Sequence, residues 1–344
     1  MTAARVIANI VPAHSLHERQ AEDFMKQPAP ISKEAMGGKI YVVVPVFNRK
    51  SLTERFLYCL RQQTVRNFEV IVVDDGSTDG TPELIAQQFS EVQLLRGDGN
   101  LWWTGAINVG IRHALARAAT DDAILVINDD LEISSNYLVN LYRVWTSTPR
   151  TLIGSVAVDI NNPEIIVDGG TLVNWWTAKI TNLNSGRRLS AFAKDHYLEV
   201  SVLPGRGTLI PVQVFRHIGL YNDKHYQQTG DQELTVRARR VGYRLIVSYA
   251  AVVKSHTKAS CAINVADSYS LTDAKKYFFD VKSNTRLRSC FFFAYDTATN
   301  PFSFVSFFLL HLARITGHFL LRLRFRRRRY SPDPPEKRKE YVDV

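Results

Sequence analysis

The chain is predicted to be an α/β protein: a mostly parallel sheet flanked by helices, with a C-terminal helical extension. Three observations predict this. Between Lys39 and Ile127, apolar β-branched runs alternate with segments of helical spacing, the order that builds a parallel sheet covered on both faces. Polar clusters follow three of these runs directly, and in such sheets ligands sit beyond the carboxyl ends of the strands. The chain is 344 residues long, 45% hydrophobic and 22% charged, a globular composition with enough length to bury a core.

Residues 1–38 stand apart as an extension and linker. MTAARVIANIVPAHS has a short apolar stretch and no small-residue cleavage site, so it does not read as a secretory signal. Ser15 to Lys26 is expected as a short helix. Residues 27–38, QPAPISKEAMGG, carry the Pro, Ser and Gly of a linker. A main domain is expected over 39–262. Ile40 to Val44 is a continuous apolar run, so a buried strand. Leu52, Phe56 and Leu60 share one face of a helix over Leu52 to Gln63. Phe68 to Val73 is a second buried strand, and Thr81 to Phe89 a helix with Thr81 as N-cap and Pro82 at its first position. Glu91 to Leu95 is a short strand, Thr104 to Ala119 a helix, and Ala123 to Ile127 another buried strand. Further strands are expected over Thr151 to Val158, Val200 to Ile210 and Arg244 to Val253, with a helix over Gly230 to Gly242. Asp273 to Phe293 and Pro301 to Phe325 are expected as helices of a C-terminal region, 263–330. The Pro-rich end, 331–344, is expected to be disordered.

Three cysteines, Cys59, Cys261 and Cys290, are too few and too scattered for a disulfide framework or a cysteine zinc site. They fit a reducing compartment. The chain has 43 basic and 33 acidic residues, a net charge of +10. Six of those arginines fall between Arg322 and Arg329, so the basicity is local and does not describe a nucleic-acid-binding surface.

Residues 44–49 (VPVFNR), 74–81 (DDGSTDGT) and 128–130 (NDD) all lie at predicted strand ends and should converge. Four more segments follow the same order: 99–108 (GNLWWTGAIN), 205–210 (GRGTLI) with Ile218-Gly219, 230–234 (GDQEL) with Arg237, and 253–256 (VKSH). This series resembles the family 2 glycosyltransferases, which have the GT-A, Rossmann-like fold and use nucleotide-diphosphate sugars. The resemblance covers roughly residues 39–259.

The resemblance implies roles residue by residue. Pro45, Phe47 and Asn48 belong to the base pocket, where an apolar rim and a ring beside a polar group suit a flat pyrimidine. Asp75 accepts a hydrogen bond from the base; Asp74 and Asp79 read equally as turn and capping residues. Gly99 and Gly105 let backbone approach the diphosphate, and Asn108 lies in the first turns of the helix that follows. Trp102 and Trp103 either pack in the core or turn one ring, Trp103, to the sugar or nucleotide. Asp130 holds the metal and Asp129 the ribose or metal shell. Asn128 stands where many relatives have Asp, which leaves the last two carboxylates intact. His256 is either an ordinary histidine or the late metal ligand. The ion is Mn2+ or Mg2+, and histidine suits manganese better. Asp231 is the general base and Glu233, two residues on, its competitor. Trp175 and Trp176 are core or acceptor surface.

Lys276 to Phe279 and Lys282-Ser283-Asn284 resemble a Tyr-aromatic then Arg-Asn segment of transferases that build bacterial surface polysaccharides. Lys282 replaces the Arg and is offset by Ser283, which leaves a phosphate-binding role unassigned. Residues 301–325 carry a polar stripe, and Arg314 interrupts the run of about 20 apolar residues that a spanning helix needs. An interfacial helix fits, with residues 301–329 contacting an anionic membrane surface; the alternative is a helix packed on the domain with a solvated basic tail.

The implied activity is metal-dependent, inverting, hexosyl-type transfer from a UDP- or dTDP-sugar to a glycan or lipid-linked acceptor hydroxyl. The implied setting is polysaccharide (O-antigen) synthesis at the cytoplasmic face of the inner membrane, with peripheral attachment. A sugar-phosphate nucleotidyltransferase typically opens with a Gly-rich phosphate loop, and none follows Val44. A non-catalytic sugar-nucleotide-binding membrane adaptor is opposed by intact Asp75, Asp130 and Asp231.

Overall fold

The computed structural model describes residues 38–255 and 271–329. The expected helix over 15–26, His256 and the tail 331–344 lie outside the described residues. The first half follows the sequence pattern closely. β1 (Ile40–Val46), α1 (Lys50–Arg61), β2 (Phe68–Asp74), α2 (Thr81–Gln88), β3 (Gln93–Arg96), α3 (Trp102–Leu115) and β4 (Ala123–Val126) alternate as expected. β5 (Leu131–Ile133) and α4 (Tyr137–Ser147) lead to β6 (Thr151–Asp159) and β7 (Ile166–Asp168). A separate hairpin, β8 (Thr171–Asn174) and β9 (Lys179–Asn182), precedes β10 (Tyr197–Glu199) and β11 (Thr208–Pro211). α5 (Val212–Ile218), α6 (Asp231–Arg240) and β12 (Arg244–Ser255) close the sheet, and α7 (Leu271–Phe279), α8 (Leu287–Thr297) and α9 (Pro301–Arg329) follow.

The main sheet runs β10-β12-β6-β11-β4-β1-β2-β3, with β5 on β12 and β7 on β6. β1 pairs in parallel with β2 and β4, β2 with β3, and β6 with β12. β11 is antiparallel to both β4 and β6. β4 is buried throughout, and β1, β6 and β11 each leave one residue partly exposed, because helices cover both faces. Pairing of Val46 with Asp74 and of Val43 with Val126 brings three carboxyl ends to one edge. The polar clusters after Val46, Val73 and Ile127 therefore do converge.

Two predicted elements are broken. Val200 to Ile210 is a strand only from Thr208; Pro204 has no N–H to give a ladder, and Gly207 turns left-handed at φ +82°. The helix expected over Asp273 to Phe293 is two helices. Between them the Ser283 and Thr285 hydroxyls donate to the Tyr277 carbonyl at 2.6 and 2.7 Å, and Asp280 Oδ1 accepts from the Lys282 amide at 2.8 Å. Short polar side chains here compete with the helical ladder for the backbone.

α9 packs along one face only. Ser303, Phe307, Ile315 and Phe319 are buried on a spacing of four or eight residues, against α7, α8 and the β8–β9 hairpin. Ser306 Oγ donates to the Trp176 carbonyl at 2.6 Å, and Arg314 donates to the carbonyls of Ala178 and Thr177. Trp175 joins this packing, with its indole N–H on Thr297 Oγ1 at 3.0 Å, while Trp176 lies open. The opposite face of α9 shows Phe302, Val305, Leu309 and Leu320, each at least 50% exposed. One face of α9 thus packs on the domain, and the other is apolar and exposed among the described residues.

Candidate active site

Two adjoining cavities open at the strand ends. The first, about 360 Å3, is lined by Pro45, Phe47, Arg49, Asp75, Trp102, Trp103 and Asn128 to Asp130. Pro45 sits in the last turn of pleat of β1, and Phe47, about half exposed, forms a rim. Asp75 is buried just past β2. Its Oδ1 accepts from the amides of Gly99 and Leu101 at 2.9 and 3.2 Å, and its Oδ2 from Trp102 at 2.9 Å. It therefore caps α3 and shapes the 99–102 loop; of about four lone-pair directions on a carboxylate, three are occupied.

The acidic pair follows β4. Asp129 is 2% exposed, with Oδ2 accepting from Thr53 Oγ1 at 2.9 Å and Oδ1 from Arg49 Nη1 at 3.2 Å. The same Nη1 donates to Asp130 Oδ2 at 3.3 Å. Burial pushes the Asp129 carboxyl up to about 6, against the opposing pull of Arg49. Asn128 Oδ1 accepts from the Trp103 indole N–H at 2.9 Å. An amide in this position fixes the ring without adding a third negative charge. Among the described residues no three His, Cys, Asp or Glu side chains form a metal cluster. Two adjoining carboxylates at a cavity still fit Mn2+ or Mg2+, which commonly take one or two carboxylates and complete their shell with substrate phosphates.

The second cavity, about 470 Å3, lies across Trp103 and is lined by Gly205, Arg206, Tyr226, Asp231, Phe293, Phe307 and His311. Trp103, Asn128, Gln228 and Lys282 line both. Gly205 is required for this wall: a Cβ there would lie 2.2 Å from the Trp103 ring. Asp231 opens α6, and its Oδ2 accepts from the Gly205 amide at 2.8 Å. Burial raises its pKa above the ordinary Asp value, opposed by that amide bond. Cys290, on the same cavity, is held protonated, burial raising its thiol to about 11.

Glu233 points elsewhere. It is 3% exposed and ion-paired with Arg237, which also donates to the carbonyls of Ile218 and Leu220.

Several expected ligand residues lie outside both cavity linings. Asn48, left-handed at φ +51°, accepts from the Thr78 amide at 2.8 Å while its own amide donates to Ser77 Oγ at 2.8 Å, so it ties two loops together. Asn108 is buried and bonds both backbone groups of Tyr221, at 2.9 and 3.1 Å, and Asp223 at 3.1 Å. Gly105 packs under Leu101. Asp74 and Asp79 take their turn and capping alternatives, accepting from the amides of Ser77, Lys50 and Thr81. His256 is outside the described residues. Arg49, Gln228 and Lys282 were unassigned by sequence; Arg49 stands inside the first motif, and Lys282 carried the offset signal noted above.

Residues 41–195 match the family model described as Glycosyl transferase family 2. One curated relative is an N-acetylglucosaminyl-diphospho-decaprenol L-rhamnosyltransferase of Mycobacterium tuberculosis, 25% identical over 69% of this chain and 82% of its own length. Another is the low-salt glycan biosynthesis hexosyltransferase Agl10 of Haloferax volcanii, 29% identical over 50% of this chain and 53% of its own. In fold, the chain is similar to a mannosyltransferase of Pyrobaculum calidifontis solved with GDP-Man and Mn2+. The TM-score is 0.50 at 17% identity, over 90% of this chain and 79% of that one. It is also similar to GalNAc-T7 solved with UDP, GalNAc and Mn2+, with a TM-score of 0.52 at 16% identity, over 87% of this chain and 59% of that one.

Proposed function

Because the chain is a family 2 glycosyltransferase with the GT-A fold, we propose that it transfers a sugar, with inversion and with a divalent metal, from a UDP- or dTDP-sugar to a glycan or lipid-linked acceptor hydroxyl. One observation carries this reading: Asp231 lines a cavity that meets the Asp129–Asp130 cavity across Trp103.

The donor lies in the first cavity, its base against Pro45 and Phe47 and within reach of Asp75. Asp130 and Asp129 would hold Mn2+ or Mg2+, whose charge would offset that of the diphosphate leaving group. Lys282, the cation common to both cavities, faces the same charge. The acceptor enters the second cavity with its hydroxyl toward Asp231. Asp231 takes the hydroxyl proton, and the oxygen attacks the anomeric carbon. The bond to the phosphate oxygen breaks with its electron pair going to the diphosphate. The Gly205 amide fixes one Asp231 oxygen by its 2.8 Å bond, which orients the carboxylate for proton removal. A raised pKa brings this base nearer to neutral pH, where proton transfer is most effective. The test is a panel of nucleotide sugars with Mn2+, read as release of nucleoside diphosphate. One donor class should be consumed; no release from any would favour a binding module without chemistry.

The setting proposed is polysaccharide synthesis at the cytoplasmic face of the plasma membrane. Pro301–Leu323 is long and apolar enough to cross a bilayer. However, its inner face bonds to the β8–β9 hairpin through Ser306 and Arg314, so a crossing would carry that hairpin into lipid. An interfacial position instead buries Phe302, Val305, Leu309 and Leu320, with the arginine run at the headgroups. Val305→Glu with Leu309→Glu is expected to release the protein from anionic vesicles in a flotation assay while leaving nucleotide binding intact. Equal flotation of parent and variant would show that this face does not enter lipid.

A further inference from the structure

Arg49 has no role in the reaction as written, yet it sits among the acids of the donor cavity. The backbone fixes where it starts. Asn48, before it, is held in the left-handed region by Ser77 and Thr78, and the Arg49 carbonyl accepts from the Thr53 amide at 2.9 Å, opening α1. From there one guanidinium nitrogen reaches both Asp129 and Asp130, at 3.2 and 3.3 Å. The two carboxylates are 2% and 5% exposed. Two adjoining buried carboxylates repel each other, and the guanidinium shared between them offsets that repulsion. A divalent ion held by the same oxygens would supply that charge itself, and it would repel a guanidinium left between them.

We propose that Arg49 is an internal counter-ion: it occupies the Asp129–Asp130 pair until a divalent ion arrives together with a nucleoside diphosphate, and is then displaced onto the anionic ligand. This rests on the metal-dependent reading above. Metal alone meets an occupied site and binds weakly. Metal with a diphosphate brings phosphate oxygens that complete the metal's shell and also give the displaced guanidinium a new partner, for which its planar fork is suited. The donor and the ion are thereby taken up together.

The experiment measures Mn2+ binding by electron paramagnetic resonance on the full chain at pH 8. Mn2+ is titrated alone and with UDP, dTDP or GDP, for the parent, Arg49→Gln, Arg49→Lys and Asp130→Asn. Removing a positive charge from beside the ion's ligands relieves its repulsion of the metal, so Arg49→Gln should bind Mn2+ alone at least about tenfold more tightly than the parent. Arg49→Lys, which keeps the charge, should stay close to the parent. The gain in Mn2+ affinity that a nucleoside diphosphate gives the parent should shrink in Arg49→Gln. Thermal melts establish that each variant is folded, and Arg49→Met replaces the Gln variant if that one is not. If Arg49→Gln binds Mn2+ alone no better than the parent while Asp130→Asn removes binding, the metal assignment stands and the counter-ion role falls. If the parent and Arg49→Gln bind no Mn2+ even with a nucleoside diphosphate, both fall.

Discussion

Asp231→Asn is expected to lower sugar transfer by about 100- to 10,000-fold at saturating acceptor, the range that general-base help contributes, while donor and metal binding stay near the parent's. The amide keeps the shape of the carboxylate and its acceptor oxygen for the Gly205 N–H, so the loop at Gly205 and the Trp103 wall should hold. It cannot take the acceptor's proton. In the parent, transfer should rise with pH as Asp231 loses its proton, along a limb above the ordinary Asp value, because burial raises this group; the Asn variant should lack that limb. Glu233→Gln is the contrasting case. Its carboxylate is buried against Arg237, whose side chain is 27% exposed and anchors the carbonyls of Ile218 and Leu220. That change should cost about 1–3 kcal/mol of stability, read in a denaturant melt, with much smaller loss of turnover in the surviving fold. A dead Glu233→Gln beside an active Asp231→Asn would exchange the two assignments.

Excess chelator is expected to abolish turnover, with Mn2+ or Mg2+ restoring it. Asp130→Ala should lower turnover at least about 100-fold, since a metal's charge stabilisation is worth several kcal/mol and each 1.4 is tenfold. Binding of nucleoside diphosphate should weaken far more than binding of the nucleoside if, as proposed, Asp130 holds the ion that meets the phosphates. Full activity in chelator would sink the metal assignment. Asp129 adds a pH dependence. Its folded value, about 6, lies above its ordinary 3.8, so between these the folded state binds more protons than the unfolded chain. This group's contribution to stability therefore falls as pH rises from 3.8 to 6, and a bound cation offsets that loss by favouring the ionised form. Metal affinity should climb over about pH 5 to 7 as the Asp129 proton leaves. A calorimetric titration with Mn2+ and nucleoside diphosphate at three pH values reads this directly.

The first half of the fold was legible because buried parallel strands and amphipathic helices leave strong local patterns, and the polar clusters at their ends point to one edge. β11 was not legible as antiparallel: a strand buried on both faces reads the same in either direction. β8 and β9 are four residues each, partly exposed and mixed in character, so no alternation marks them. The break between α7 and α8 depends on where three short polar side chains find carbonyl and amide partners. For the site, Asp75, Trp103, Asp129, Asp130 and Asp231 reach the cavities from positions that strand ends and helix starts already marked. Asn108 lies outside both linings because its amide serves a loop 113 residues away, a contact with no local trace in the sequence. Arg49 was in view from the start, but its link to Asp129 and Asp130 spans about 80 residues and appears only once β1 and β4 are paired.

The matched domain ends at residue 195, whereas Phe293, Phe307 and His311 of the second cavity come from α8 and α9. Among the described C-terminal residues, Lys282 alone reaches the first cavity. Substitutions in α8 and α9 can therefore reshape the second cavity, the side proposed for the acceptor, while leaving the lining of the first untouched. Recombination after β12 would exchange seven of the eighteen residues that line the second cavity, but only Lys282 of the first. The Trp103 indole lines both cavities, so an exchanged tail that displaced it would disturb the first cavity as well as the second.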